Sequence, residues 1–312
     1  MESLILSFES VMPIFILMVL GYILKSINIA DKKTFDGINK LVFNIFLPVL
    51  LFYNIYKTET ADVFNIRLII FIVISVFVIF CIGFFIVRMI TDNNPKRGVI
   101  LQGFFRSNFA ILGIPLADYI CRGNSTGLAS LMVAVVVPLF NVFAVISLES
   151  FRGGKINILK TLKGIVKNPL IIGCIAGAVF FISGIKLPSI IEKSVKDISS
   201  IASPLAIIVL GAGFTFNSVR GYLREITITV LSRLIIVPIL GLTVAILLGF
   251  RGEALACLLV AFGSPVAVSS FSMAQQMDGD ETLAAHVIVF SSLFCVVTLF
   301  VWIFVLNSLN FF

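Results

Sequence analysis

One feature constrains this chain more than any other: apolar stretches recur along it, each about as long as a bilayer's hydrocarbon core is thick. Ten of them lie near residues 8–24, 38–56, 66–90, 97–121, 125–149, 165–185, 197–216, 224–249, 252–277 and 282–307. A helix needs about 20 mainly apolar residues to cross that core. The stretches are continuous rather than alternating, which excludes the short strands of a membrane barrel. Hydrophobic residues make up 59% of the chain and charged residues only 12%, about half the usual ~25% charged share. A water-soluble surface cannot be built from that composition. The fold class is therefore all-α and polytopic, with ten transmembrane helices and connections too short for a soluble domain.

The net charge of +7 does not point to nucleic acid, because the basic residues sit between the apolar stretches rather than in one patch. They give an orientation instead. One alternating set of connections holds Lys25, Lys32, Lys33, Lys40, Arg88, Lys96, Arg97, Arg152, Lys155, Lys160, Lys163, Lys167, Arg220 and Arg224. The opposite set holds Lys57, Arg67, Arg122, Lys186, Lys193, Lys196 and Arg251. Fourteen against seven makes the first set cytoplasmic and places both termini outside a plasma-type membrane. No basic residue precedes Lys25, so the first stretch is expected to be retained rather than cleaved. Cys81, Cys121, Cys174, Cys257 and Cys295 lie in apolar surroundings without metal-type spacing.

The two halves resemble each other. Pro13 and Gly21 match Pro169 and Gly177, and Asn44 with Pro48 matches Ser200 with Pro204, all at an offset of 156. Gly113 and Pro115 match Gly263 and Pro265 at 150, and Leu139 with Phe140 matches Leu293 with Phe294 at 154. Residues 1–150 and 165–312 thus read as two five-helix repeats joined by a cytoplasmic loop at 151–164. An odd helix count makes the repeat inverted, a construction common in secondary transporters. Gly113 and Pro115 in the fourth stretch, and Gly263 and Pro265 in the ninth, predict broken helices. Proline removes a backbone donor, and freed backbone groups are tolerated at this depth only against protein or water.

Polar residues inside the stretches are candidate ligands. Asn108 lies about eleven residues into the fourth stretch, or ~16 Å at the helical rise, near mid-membrane. Its amide suits a carboxylate or a carbonyl. Asn44 and Asn141 are similar but less centrally placed. Arg106 is open to two readings, an attractor of anions or a side chain snorkelling to the cytoplasmic side. Arg233 reads as snorkelling, and His286 as either an interfacial residue or a proton carrier. Ser264, Ser269 and Ser272 are candidate ion-coordinating groups or simply small residues for helix packing. No metal cluster, catalytic pairing, cofactor motif or phosphate-binding loop is present, so nothing points to an enzyme.

These residues resemble those of the auxin efflux carrier family, over essentially both halves. The segment from Val11 through Pro13 and Gly21 to Tyr22 is similar to the family's first helix, and Gly37, Lys40 and Leu47 to Phe52 are similar to its second. Asn108 through Pro115 and Leu116 resembles its crossover helix 4, and Pro265 with Ala274 and Gln275 its crossover helix 9. The resemblance implies inverted five-helix repeats, a scaffold part and a moving part, and a homodimer. It implies a carboxylate held near Asn108, with Leu47 and Pro265 beside it. Leu170 stands where the plant carriers have a second asparagine, and the ionisable pair expected in helix 3 is missing, so auxin itself does not fit.

The expected function is a secondary carrier moving a small organic anion by alternating access, in efflux or exchange. Its substrate ligands would be Asn108, Leu47, Pro265, Asn44 and Arg106, its partners that anion and the lipid bilayer, and it would need no cofactor. The alternatives are a sodium-coupled symporter of the bile-acid type and a ligand-sensing receptor built on a carrier fold.

Overall fold

The computed structural model describes residues 2–58, 65–109, 117, 120, 128–152 and 158–312, which are helical almost throughout. The helices are α1 (Glu2–Ser26), α2 (Lys32–Leu41), α3 (Leu47–Tyr56), α4 (Ile66–Ile90), α5 (Asn94–Phe105), α6 (Leu128–Phe151) and α7 (Ile158–Lys167). Then follow α8 (Pro169–Ser183), α9 (Ser189–Gly213), α10 (Leu223–Leu231), α11 (Val237–Leu247), α12 (Gly252–Gly263), α13 (Ser269–Gln276) and α14 (Glu281–Ser308). Among the described residues, six continuous helical segments are long and apolar enough to cross a membrane: Lys32–Tyr56, Ile66–Ile90, Leu131–Phe151, Ser189–Gly213, Phe216–Leu247 and Glu281–Ser308. Shorter apolar helices accompany them at Met12–Ser26, Pro169–Ser183 and Gly252–Gly263. Large apolar side chains such as Phe85, Ile182 and Leu247 point outward, as they do where the surroundings are lipid rather than water.

The chain writes its own helix starts. Asp31, Asn65, Asn93, Asn168 and Asp280 each accept a hydrogen bond from a first-turn amide, at 2.8–3.3 Å. Asparagine and aspartate do this because their side-chain oxygen replaces the missing helical acceptor. Pro95 and Pro169 follow two of these caps at positions where no amide is needed. Proline also explains the two places where a span widens by one residue per turn, Val42–Phe46 ahead of Pro48 and Ser232–Ile236 ahead of Pro238. A proline ring pushes away the carbonyl four residues earlier. For Pro238 that carbonyl belongs to Leu234, and the indole of Trp302 donates to it at 3.1 Å.

One connection differs from the expectation. Residues 151–164 are not all loop, since α7 begins at Ile158. Its apolar and basic residues lie on opposite faces, so it lacks the continuous apolar signal that marks a span.

The helices pack in two groups. In one, α1 lies along α9, and α3 packs on both α8 and α9; in the other, α4, α5 and α6 pack together, as do α10 to α14; the groups meet where α1 also lies along α14. Glycine makes the first group tight. A Cβ on Gly21 would sit 1.9 Å from the Ile208 carbonyl oxygen, and one on Gly177 would sit 2.8 Å from that of Phe52. Gly177 stands 156 positions after Gly21, and Ile208 stands 156 after Phe52. The two close approaches are therefore the same contact made twice, with the halves exchanged.

Candidate functional site: a crossover of two chain breaks

The site forms where two helices stop in the core. Helix α5 ends at Phe105 and α12 at Gly263; Arg106 and Ser264 then turn into extended backbone. Ser107 and Val266 pair side by side in antiparallel fashion. The Asn108 amide donates to the Pro265 carbonyl at 2.8 Å, and the Ala267 amide donates to that of Arg106 at 3.4 Å. Each break thereby satisfies backbone groups freed by the other. Pro265, which has no amide, contributes only its acceptor there. The break in the fourth stretch falls at Arg106–Asn108, ahead of the predicted Gly113 and Pro115, which lie outside the described residues. The helix ends at Phe105 and Gly263 are 158 positions apart, nearer the 156 of the other matches than the 150 that paired Pro115 with Pro265.

Arg233 closes the other side of the crossover. Its guanidinium donates to the carbonyls of Ser264 (2.9 Å) and Ala261 (2.6 Å) at one helix end, and of Phe104 (3.3 Å) and Phe105 (3.2 Å) at the other. It is 0% exposed. The expectation that it snorkels is overturned, because four orphaned carbonyls at helix C-termini hold it in place.

Arg106 is 2% exposed and does not snorkel either, but its partners are of another kind. It donates to Gln102 Oε1 at 3.0 Å, Asn141 Oδ1 at 2.7 Å, Ser269 Oγ at 2.9 Å and Ser270 Oγ at 3.4 Å, and touches Met273 Sδ at 2.7 Å. All of these are neutral. Among the described residues, no carboxylate lies within ion-pair distance of Arg106 or Arg233.

Beside Arg106 lies a cavity of about 50 Å³, room for a few waters or a group the size of a carboxylate. The group of α4, α5, α6 and α10–α14, with the chain at its breaks, lines it with Arg106, Ser107, Asn108, Phe140, Asn141 and Ser269; the other group supplies Leu47, Leu50, Leu51, Leu170 and Ala206. The cavity thus sits on the seam between the two packing groups. Two buried polar atoms on its wall, Asn108 Nδ2 and Ser107 Oγ, have no hydrogen-bond partner among the described residues. Such orphans are rare in folded proteins, and their desolvation costs roughly 1–3 kcal/mol each.

Of the residues singled out from sequence, the structure brings Asn108, Leu47, Arg106 and Ser269 to the cavity, with Pro265 hydrogen-bonded to the Asn108 backbone. Asn44 stays out of it: exposed, it donates at 2.7 Å to the Lys40 carbonyl of its own helix. Ser264 and Ser272 are fully buried with unpartnered hydroxyls, off the cavity wall. His286 is buried near the start of α14, with Nε2 3.0 Å from the Thr215 carbonyl and its ring edge-on to Phe214. Asn141, given less weight from sequence, makes the shortest hydrogen bond from Arg106 to an oxygen. The only signal it offered was an asparagine in the middle of an apolar stretch.

Residues 6–303 match the family described as membrane transport protein. The chain belongs to this family. The match also shows the resemblance to auxin efflux carriers read from the helix 1, 2, 4 and 9 motifs. Relatives named as uncharacterized transporters extend over nearly its whole length. One from Methanothermobacter thermautotrophicus is 24% identical over 298 residues, covering 95% of this chain and 97% of the relative. One from Methanocaldococcus jannaschii is 24% identical, covering 94% of this chain and 97% of its own. YfdV of Escherichia coli K12 is 25% identical over 307 residues, covering 94% of this chain and 96% of its own. The transporter is thus a multi-pass membrane protein whose family spans bacteria and archaea.

Proposed function

We propose that this transporter is a secondary carrier of a small organic anion, which it binds by a carboxylate at the crossover between Arg106 and Asn108. One observation carries the reading: a buried guanidinium without a carboxylate partner shares a cavity wall with an unpartnered amide donor. An isolated buried charge is strongly disfavoured unless something pairs with it. An anion entering the cavity supplies that pairing and the missing acceptor together. The same charges argue against a sodium site here. Ser269 Oγ accepts from Arg106 and the Ser264 carbonyl from Arg233, so cationic groups already take the sodium candidates nearest the cavity, while the Ser264 and Ser272 hydroxyls lie off its wall.

Alternating access follows from the seam. Relative movement of the two packing groups would open the cavity to one side and then the other, with the crossover staying intact inside its own group. The paired approaches of Gly21 to Ile208 and Gly177 to Phe52 support ten helices in two inverted repeats, because equivalent residues meet across exchanged halves. The excess of basic residues in alternate connections supports termini on the extracytoplasmic side of the plasma membrane.

Asn108→Ala in proteoliposomes tests the site. Organic-anion flux is expected to fall at least tenfold while the purified variant keeps close to the parent's melting temperature, because the lost Nδ2 donor has no hydrogen-bond partner among the described residues. Undiminished flux would remove Asn108 from the site.

A further inference from the structure

The reading of an anion site leaves an electrostatic difficulty. Helices α5 and α12 both direct their C-termini at the crossover, and a helix C-terminus carries about half a negative charge on its free carbonyls. Two such ends beside the cavity would repel a carboxylate and drain the field of Arg106. Arg233 lies where both ends converge. Its guanidinium takes two carbonyls from each, Phe104 and Phe105 from α5 and its cap, Ala261 and Ser264 from α12 and its cap. The widened turn Ser232–Ile236, induced by Pro238, carries the side chain into the core from a third helical span. No residue of the cavity wall is Arg233 itself, so it touches no substrate.

We infer that Arg233 is a positioning residue of the anion site: it neutralises the negative ends of both half-helices and fixes how they cross, so that Arg106 and Asn108 present an unopposed positive face. The inference rests on the anion-site reading. It assigns Arg233 a part in charge selectivity, beyond holding the fold together. A planar guanidinium suits this task because one charged group reaches four acceptors in two directions, which an ammonium cannot do.

The test measures discrimination between an acid and its neutral twin. Purified protein in detergent is titrated with acetate, butyrate, benzoate and succinate, and thermal stabilisation is recorded. The best stabiliser is then compared with its amide, in the parent, Arg233→Gln and Arg233→Lys. Arg233→Gln should lose at least tenfold of the parent's preference for acid over amide, while its affinity for the amide changes less than twofold. Arg233→Lys retains a charge near the carbonyls and should keep the preference within threefold, with a lower melting temperature. A purely structural role would weaken acid and amide alike; an unaltered ratio in Arg233→Gln, or an equal loss of ratio in both variants, overturns the inference. Where Arg233→Gln does not fold, the ratio in Arg233→Lys decides, and its loss overturns the inference. If the parent responds to none of the acids, the anion-site reading fails and this inference fails with it.

Discussion

Arg106 and Arg233 are the same side chain at nearly the same burial, 2% and 0% exposed, on either side of one crossover. They differ in what they bind. Arg233 takes only backbone carbonyls, groups that every folded copy of the chain must satisfy. Arg106 takes only neutral side chains on a cavity wall and keeps a charge that nothing described opposes. A buried arginine in a membrane helix is thus not one kind of signal. Bound to helix ends it completes the fold, and bound to exchangeable side chains beside a cavity it is available to a ligand.

That contrast can be broken at either residue. Arg233→Leu should have the largest effect on stability, because four buried carbonyls lose their only charged donor. Leaving a buried acceptor unsatisfied costs about 1–3 kcal/mol and several are left at once, so a sharp fall in melting temperature in detergent is expected. A variant melting like the parent would mean that the crossover holds without it. Asn141→Ala attacks the other arginine more gently. It removes the shortest hydrogen bond from Arg106 to an oxygen, and a hydrogen bond to a charged group contributes about 1.5–3 kcal/mol. Organic-anion affinity should fall about tenfold with little change in melting, as measured by titrated stabilisation. Equal losses in both would place Asn141 with Arg233, in the fold rather than the site. Ser272→Ala sharpens the comparison from the smallest effect. Its hydroxyl is buried, unpartnered and away from the cavity, so anion affinity should stay within twofold, and melting should be unchanged or raised by less than about 1 kcal/mol equivalent. A loss of sodium-dependent stabilisation in that variant would favour a cation site instead.

Much of this architecture was legible in the chain. Ile66–Ile90 appears at the residues its hydropathy marked. Asn108, Leu47 and Ser269 could be named because polar or family-matched residues inside long apolar stretches are few. The rest depends on contacts between distant segments. The break expected at Gly113 and Pro115 lies outside the described residues. The break at Arg106–Asn108 contains neither glycine nor proline, so no residue type marked it. Its cause is pairing of Ser107 with Val266, some 160 residues away. Arg233 was taken for a snorkelling side chain because its partners are backbone carbonyls, which no residue type advertises. Asn44, less centrally placed, had the right chemistry but faces away from the cavity, held by the Lys40 carbonyl of its own helix. Helix α7 escaped notice because ten amphipathic residues in a basic connection do not resemble a span.

The central claim is that the charge of Arg106 is kept for an anion. Titration of the parent and Arg106→Gln with the best-stabilising carboxylate, read by thermal shift, tests it directly. The account predicts saturable stabilisation of the parent. It predicts at least a tenfold loss of affinity in Arg106→Gln, whose ligand-free melting temperature is equal to or above the parent's because an uncompensated buried charge is gone. Equal carboxylate affinity in the two proteins would contradict it.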